Sequence, residues 1–329
     1  GMRNIISHQY GSVDDKIVFN SIKEEMGKDV KKLIGVIKNN KTEKQAKVSR
    51  VLTFSCVDGP GNRLVLFLQG CNFDCITCHN PHTINHCNHC GDCVESCPSD
   101  ALSVNELGQV EWDAVQCTHC DKCIEVCAHK SSPKITHMSV SEVVELIHFN
   151  RFFLNGITVS GGEATMQLPF IIDLFKAVKA NEALSHLTCF LDSNGSLPTS
   201  GWQRIAPYLD GVMVDLKSWQ EETHQWLVGR SNHRVFESIQ WLVEHDKLHE
   251  VRLLHIPGKS DLDSEVVAVG AYLQRLPSKV KIRLNAFQHH GVRGEALGWA
   301  KCSEEQMKAF HEQLSALVQR TIITPSVYV

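Results

Sequence analysis

Leu64-Val65-Leu66-Phe67-Leu68-Gln69-Gly70-Cys71-Asn72-Phe73-Asp74-Cys75-Ile76-Thr77-Cys78 is an apolar run that breaks into a loop of three cysteines. Five consecutive apolar residues without polar alternation are what a strand buried on both faces requires, and such strands belong to parallel sheets. The pattern returns at Ile157–Val159, Leu187–Leu191, Val212–Leu216, Val251–Ile256 and Val280–Leu284. Between these runs lie helical patterns at Leu168–Ala180, Val235–His245, Glu265–Leu276 and Ser303–Val318. Strand–helix alternation predicts an α/β fold. Six strands make a partial parallel (β/α)6 barrel. In such folds chemistry gathers at the carboxyl ends of the strands. The polar motifs Ser160–Glu163, Asp192–Gly195, Asp215–Lys217 and His255–Gly258 all fall there.

The chain has 329 residues, 43% of them hydrophobic, enough to bury a large core with an inserted module besides. No run approaches the roughly 18 apolar residues of a membrane helix, and no signal peptide is recognised, so the expectation is a cytoplasmic protein without membrane partners. A net charge of -4 leaves no footprint for nucleic acid. Residues 1–47 carry ten Lys/Arg against six Asp/Glu, and the remainder 23 against 31. That first stretch is read as a polar N-terminal extension. In it Ile22, Met26, Val30, Leu33 and Ile37 form one apolar helical stripe that could pack on the body, dimerise or meet a partner.

Eleven of the fourteen cysteines sit between positions 71 and 127 in short regular spacings, which is metal-ligand usage in a reducing compartment. Cys56, Cys189 and Cys302 stand apart and read as small hydrophobes. In Cys71-x3-Cys75-x2-Cys78, three thiolates can hold three irons of a 4Fe–4S cubane and leave the fourth open. A chelating amine and carboxylate, such as the methionyl end of S-adenosylmethionine (SAM), can occupy that iron. A zinc site with His79 as fourth ligand is the competing reading, although zinc motifs place ligands in two separated pairs.

Cys87-x2-Cys90-x2-Cys93-x3-Cys97-Pro98 and Cys117-x2-Cys120-x2-Cys123-x3-Cys127 match the two-cluster bacterial ferredoxin run, in which the fourth cysteine of each run ligates the other cluster. This assigns Cys87, Cys90, Cys93 and Cys127 to one 4Fe–4S cluster and Cys117, Cys120, Cys123 and Cys97 to another; zinc knuckles are the alternative. Residues 83–129 thus read as a ferredoxin-like insert in a domain made of 48–82 and 130–329.

The sequence resembles the glycyl-radical-enzyme activating enzymes of the radical SAM superfamily. The resemblance rests on Phe54-Ser55-Cys56-Val57-Asp58-Gly59-Pro60-Gly61-Asn62-Arg63, Phe67-Leu68-Gln69-Gly70-Cys71 and Cys78-His79-Asn80-Pro81. Further along it rests on Ser160-Gly161-Gly162-Glu163, Asp192-Ser193-Asn194-Gly195, Met213-Val214-Asp215-Leu216-Lys217, and Arg252 ahead of Ile256-Pro257-Gly258. Arg283-Leu284-Asn285-Ala286-Phe287 with Gly291 and Gly294-Glu295-Ala296 looks most like the YjjW-type activases.

The resemblance implies an oxidoreductase of anaerobic metabolism. It would cleave SAM reductively and use the 5′-deoxyadenosyl radical to remove a Cα hydrogen from a glycine of a partner glycyl radical enzyme. It implies three 4Fe–4S clusters and a low-potential electron donor such as flavodoxin or ferredoxin. Gly161, Gly162 and Glu163 would meet the SAM amino group. Asp192, Ser193, Asp215 and the carbonyl of Met213 would hold a monovalent cation near the SAM carboxylate, and Lys217 would meet the cofactor. Asp58 and Arg252 would contact the partner's glycine loop. Many relatives carry a histidine near SAM where Gln288 stands, with His289 and His290 next to it. The competing enzyme reading is a radical SAM peptide-modifying enzyme with auxiliary clusters. A non-catalytic iron–sulfur electron carrier would explain the insert but not Gly161–Glu163, Asp215 or Lys217.

Overall fold

The computed structural model describes residues 43–325. The apolar stripe from Ile22 to Ile37 lies outside them. Strand β1 (Gln45–Ser55) turns back through a glycine-rich loop into β2 (Arg63–Leu68), its antiparallel neighbour. The insert follows, with a hairpin of β3 (Leu102–Val104) and β4 (Val110–Trp112) and a single helical turn at Lys122–Glu125. The chain rejoins the body as β5 (Thr136–Ser139), antiparallel to β1, and runs into α1 (Val140–Asn150). A capping box starts that helix: the Ser139 hydroxyl accepts from the Glu142 amide at 3.3 Å, and the Glu142 carboxylate accepts from the Ser139 amide at 2.6 Å.

Strand and helix then alternate: β6 (Gly156–Gly161), α2 (Leu168–Ala180), β7 (Thr188–Ser193), α3 (Thr199–Ile205) and β8 (Gly211–Leu216). Helices α4 (Glu221–Val228) and α5 (His233–Glu244) lead to β9 (Leu248–His255), α6 (Val266–Arg275) and β10 (Lys281–Ala286). Helix α7 (Glu304–Ser315) and the short β11 (Ile322–Ile323) close the described chain. All six expected strands and all four expected helices are present.

The nine-stranded sheet runs β11-β10-β9-β8-β7-β6-β2-β1-β5. From β2 to β11 its pairings are parallel; β1 and β5 add an antiparallel margin. The margin was missed because Gln45–Ser55 mixes polar and apolar residues, as a strand half exposed at an edge does. The boundary drawn at 47/48 falls inside β1.

One apolar core joins sheet and helices. A second, small core of Cys93, Leu102, Val110 and Cys123 sits within the insert. The insert is fastened to the body at several points. The Asn85 amide donates to the Lys130 carbonyl at 3.1 Å, the Cys71 amide to the Ile84 carbonyl at 2.9 Å, and Arg293 to the Cys127 carbonyl at 3.4 Å. Cys189 and Cys302 are core residues. Cys56 instead is exposed, because it lies on the loop that leaves β1 rather than on a strand facing the core. Among the described residues no helix is long and apolar enough to cross a membrane.

Candidate functional site

Side chains at the carboxyl ends of β2, β6, β7, β8, β9 and β10 line one cavity of about 520 Å³. A flat sheet cannot place Phe67, Ser160, Asp192, Asp215, Arg252 and Asn285 around a single space, so the sheet curls around it. Three of the four strand-end motifs reach this cavity. The fourth does not: His255 is buried against Phe310, 4.5 Å between ring centroids, with Nδ1 3.5 Å from Asp263.

Cys71, Cys75 and Cys78 line the same cavity. Their loop is held where it is by carbonyls that the last turn of α4 leaves without helical partners. The Asp74 amide donates to the Val228 carbonyl at 3.1 Å and the Ile76 amide to that of Leu227 at 2.9 Å. Burial pushes the Cys71 thiol up to about 12 and the Cys75 thiol up to about 11, and it raises Cys78 as well. Thiolates there need a cationic centre to offset the lost solvation, which suits iron. Among the described residues no three Cys, His, Asp or Glu side chains stand at the spacing of a single metal ion. Three thiolates bound to different irons of a cube stand further apart than that.

The glycine pair has a structural reason. A Cβ on Gly161 would lie 2.2 Å from the Leu68 carbonyl oxygen, and one on Gly162 would lie 2.5 Å from that of Gly70. Only glycines let the exit of β6 lie against the segment that delivers Cys71. Gly161 and Gly162 both line the cavity. Glu163 does not: it is 1% exposed and its carboxylate is committed to protein donors. Its Oε1 accepts from the Thr165 amide (3.1 Å), the Thr165 hydroxyl (2.5 Å) and the Ser193 hydroxyl (3.0 Å), and Oε2 accepts from the Asn194 amide (2.7 Å). Burial raises its pKa, and these four bonds work against the rise. Glu163 therefore clamps the exit of β6 to that of β7.

Asp192, Ser193, Asp215 and Lys217 all face the cavity. Lys217 Nζ lies 2.8 Å from Asp215 Oδ2. Burial works to raise Asp215, but Lys217 and Arg252 outweigh it and hold its carboxyl below the ordinary range. Asp192 is raised by burial, although Arg252 opposes this. The Arg252 guanidinium donates to Asp192 Oδ1 at 2.9 Å, to Glu250 Oε1 at 2.7 Å and to Met213 Sδ at 3.0 Å. Asp58 faces the cavity from the β1–β2 loop.

Gln288 lies off the cavity wall, because its side-chain amide donates to the Cys302 carbonyl at 3.0 Å. His289 Nε2 is 2.8 Å from the Trp299 carbonyl, and His290 is exposed. Among residues the sequence did not single out, Glu250 bonds both Arg252 and Arg283 and is nearly buried. A lone carboxylate in the strand Leu248–His255 was the signal that could have found it. In the insert, Cys97, Cys117, Cys120 and Cys123 line one small cavity with Trp112 and Lys134. Burial pushes the Cys93 thiol up to about 11, and the neighbouring Cys123 and Cys87 add to the rise.

Comparison with known proteins adds an independent line. A family model described as the Radical SAM superfamily matches residues 65–268. A second, Ribonuclease HepT-like, matches only residues 1–37, outside the described part. The chain is 32% identical over 254 residues to the pyruvate formate-lyase 1-activating enzyme of Escherichia coli, covering 74% of this chain and 82% of that one. It is 27% identical over 268 residues to the pyruvate formate-lyase-activating enzyme of Streptococcus mutans, covering 80% and 81%. A radical SAM methyltransferase from Sphaerobacter thermophilus shares the fold, with a TM-score of 0.52 at 13% identity over 90% of this chain and 81% of that one.

Proposed function

The chain belongs to the radical SAM superfamily and to its glycyl-radical-enzyme activating enzymes, and from that premise we propose how its residues divide the work. The observation that carries the proposal is the convergence of the three thiols, the Asp215–Lys217 pair, the Asp192–Arg252 pair and Asp58 on one cavity. Cys71, Cys75 and Cys78 hold a 4Fe–4S cluster. With SAM bound, that cluster would supply the electron for reductive cleavage to methionine and the 5′-deoxyadenosyl radical that abstracts the glycine hydrogen.

The chain's own residues bind, orient and exclude water. The backbone at Gly161–Gly162 approaches the SAM amino group, and Glu163 keeps that backbone in place from behind. Lys217, kept charged by Asp215, meets the cofactor's carboxylate end. Asp192, Ser193, Asp215 and the Met213 carbonyl form the pocket for a monovalent cation. Asp58 and Arg252 receive the partner's glycine loop. Cys87, Cys90, Cys93 and Cys127, and separately Cys117, Cys120, Cys123 and Cys97, hold two further 4Fe–4S clusters in a ferredoxin-like insert. The shared cavity of the second set supports that division. A low-potential carrier such as flavodoxin or ferredoxin supplies the electron, and the curled sheet is the partial barrel of the family.

The test is anaerobic reconstitution followed by dithionite and SAM. 5′-Deoxyadenosine should form well above a Cys75→Ala control; equal amounts in both would contradict the assignment of the three-cysteine loop.

A further inference from the structure

Arg63 opens β2 at the amino end of the sheet, away from the cysteines, and is 0% exposed. Every N–H of its guanidinium finds an acceptor. Nε donates to the Thr158 hydroxyl at 2.6 Å, Nη1 to the Pro60 carbonyl at 3.1 Å and the Thr188 hydroxyl at 2.9 Å, and Nη2 to the carbonyls of Ile157 at 2.5 Å and Thr188 at 3.0 Å. The fork also lies over the Phe190 ring, 4.5 Å from its centroid. None of these acceptors is a carboxylate, and burial pulls the pKa down to about 10. An apolar residue would fill this space at less cost in desolvation. The bonding pattern shows what the cation does instead.

Two of its contacts run to the loop that carries Asp58. Nη1 holds the Pro60 carbonyl directly. The Thr158 hydroxyl that accepts from Nε donates in turn to the Asp58 carbonyl at 2.6 Å, so a polarised relay runs Arg63–Thr158–Asp58. Asn62 ties the loop's other side, its Oδ1 accepting from the Ser55 amide at 3.1 Å and its Nδ2 donating to the Phe153 carbonyl at 2.5 Å. Gly59 has φ 127°, and a Cβ there would lie 2.8 Å from Arg63 Cδ, so the arginine stem occupies the space beside the turn. With its main chain bonded at Asp58 and Pro60, and with the Ser55 hydroxyl donating to the Asp58 carboxylate, the loop presents the Asp58 side chain to the cavity wall that Asp192 and Arg252 share.

We propose that Arg63 is a positioning residue for the partner's glycine: it fixes the Ser55–Asn62 loop so that Asp58 stands where the glycine loop docks. The proposal rests on the reading of Asp58 as a partner contact. It separates Arg63 from the SAM half of the cavity, which it does not touch.

The test compares Arg63→Lys, which keeps the charge but loses the fork, with Thr158→Val, which cuts the relay alone. Each is reconstituted as the full chain. Amide hydrogen exchange across residues 55–62 should quicken by roughly 10-fold or more, with β8 and β9, which Arg63 does not bond, unchanged. Partner-free 5′-deoxyadenosine formation should stay within about 2-fold. The concentration of Escherichia coli pyruvate formate-lyase giving half-maximal glycyl radical should rise about 10-fold, the scale expected of a small misplacement. Unchanged loop exchange in both variants would overturn the proposal, as would loosening of β8 and β9 together with the loop or an equal loss of partner-free cleavage. An Asp58→Ala control separates the two readings. If it leaves partner dependence unaltered, the partner role of Asp58 fails, while the exchange data still report whether Arg63 holds the loop.

Discussion

Arg252 Nη1 donates to Asp192 Oδ1 at 2.9 Å across the inside of the curled sheet, from β9 to β7 past the intervening β8. One bonded pair thus joins the residue read as a partner contact to a residue read as part of the SAM pocket. Glu250 holds the same guanidinium from its own strand at 2.7 Å, and Arg283 shares Glu250 at 3.1 Å. The interior is a charged network rather than an apolar fill, and each member's charge depends on the others.

Removing the central cation should therefore cost more than removing a surface pair. Arg252→Ala leaves Asp192 without its cationic partner and Glu250 with Arg283 alone, and a loss of about 3 kcal/mol in denaturant stability is expected for breaking buried pairs. Arg252→Lys, which keeps the charge, should lose clearly less. Equal losses in the two variants would show that packing, not charge, decides the effect.

Glu163→Gln tests the clamp between β6 and β7. The amide keeps the shape but sets an NH2 group against hydroxyl and amide donors that now meet a carboxylate oxygen. A loss of about 2 kcal/mol is expected for a hydrogen-bonded buried charge. SAM should bind roughly 10-fold more weakly, as measured by equilibrium binding, because the Gly161–Gly162 backbone shifts. Unaltered SAM affinity would mean that the glycine pair holds its place without Glu163.

Stability should fall on the acid side earlier than carboxylates alone would make it. Burial lowers the pKa of His224 and His255 in the folded chain. Above about pH 6.5 both are neutral in either state and contribute nothing. Below it the unfolded chain takes up protons that the folded chain refuses, so stability declines as pH falls. Asp215 and Glu250, whose folded pKa values are lowered, add a second decline only as pH drops below about 4. Denaturant midpoints between pH 8 and 5.5 should show the first decline, and His255→Phe should make it shallower while keeping the stack on Phe310. A flat profile in the unsubstituted chain would contradict the burial argument.

The parallel strands were legible because burial on both faces leaves nothing but apolar residues, as in Leu64–Leu68. The antiparallel strands β1 and β5 and the polar helix α4 were not, since half-exposed elements carry mixed sequence. The cysteine loop was legible because ligand spacing is local. Asp58 and Arg252 could be placed only by resemblance, because their meeting in one cavity depends on the curl of the sheet. Which of Gln288, His289 and His290 turns to the cavity was not legible either: the direction of Gln288 is set by the Cys302 carbonyl, fourteen residues further on and invisible to any local pattern. Arg63 stood in a quoted motif, yet its contacts at Thr158 and Thr188 lie far off in sequence.

Iron content reads the insert. The reconstituted chain should bind about 12 irons, and Cys120→Ala should lose up to about four of them while leaving SAM cleavage by the remaining centre measurable. About four irons in the unsubstituted chain would remove both auxiliary clusters from the account.

The most direct measurement is the electron paramagnetic resonance spectrum of a candidate glycyl radical enzyme after anaerobic incubation with the reconstituted chain, SAM and dithionite. A glycyl doublet should appear in step with 5′-deoxyadenosine and be absent with the Cys75→Ala chain. Abundant 5′-deoxyadenosine with no doublet on any glycyl radical enzyme offered would contradict the activase account.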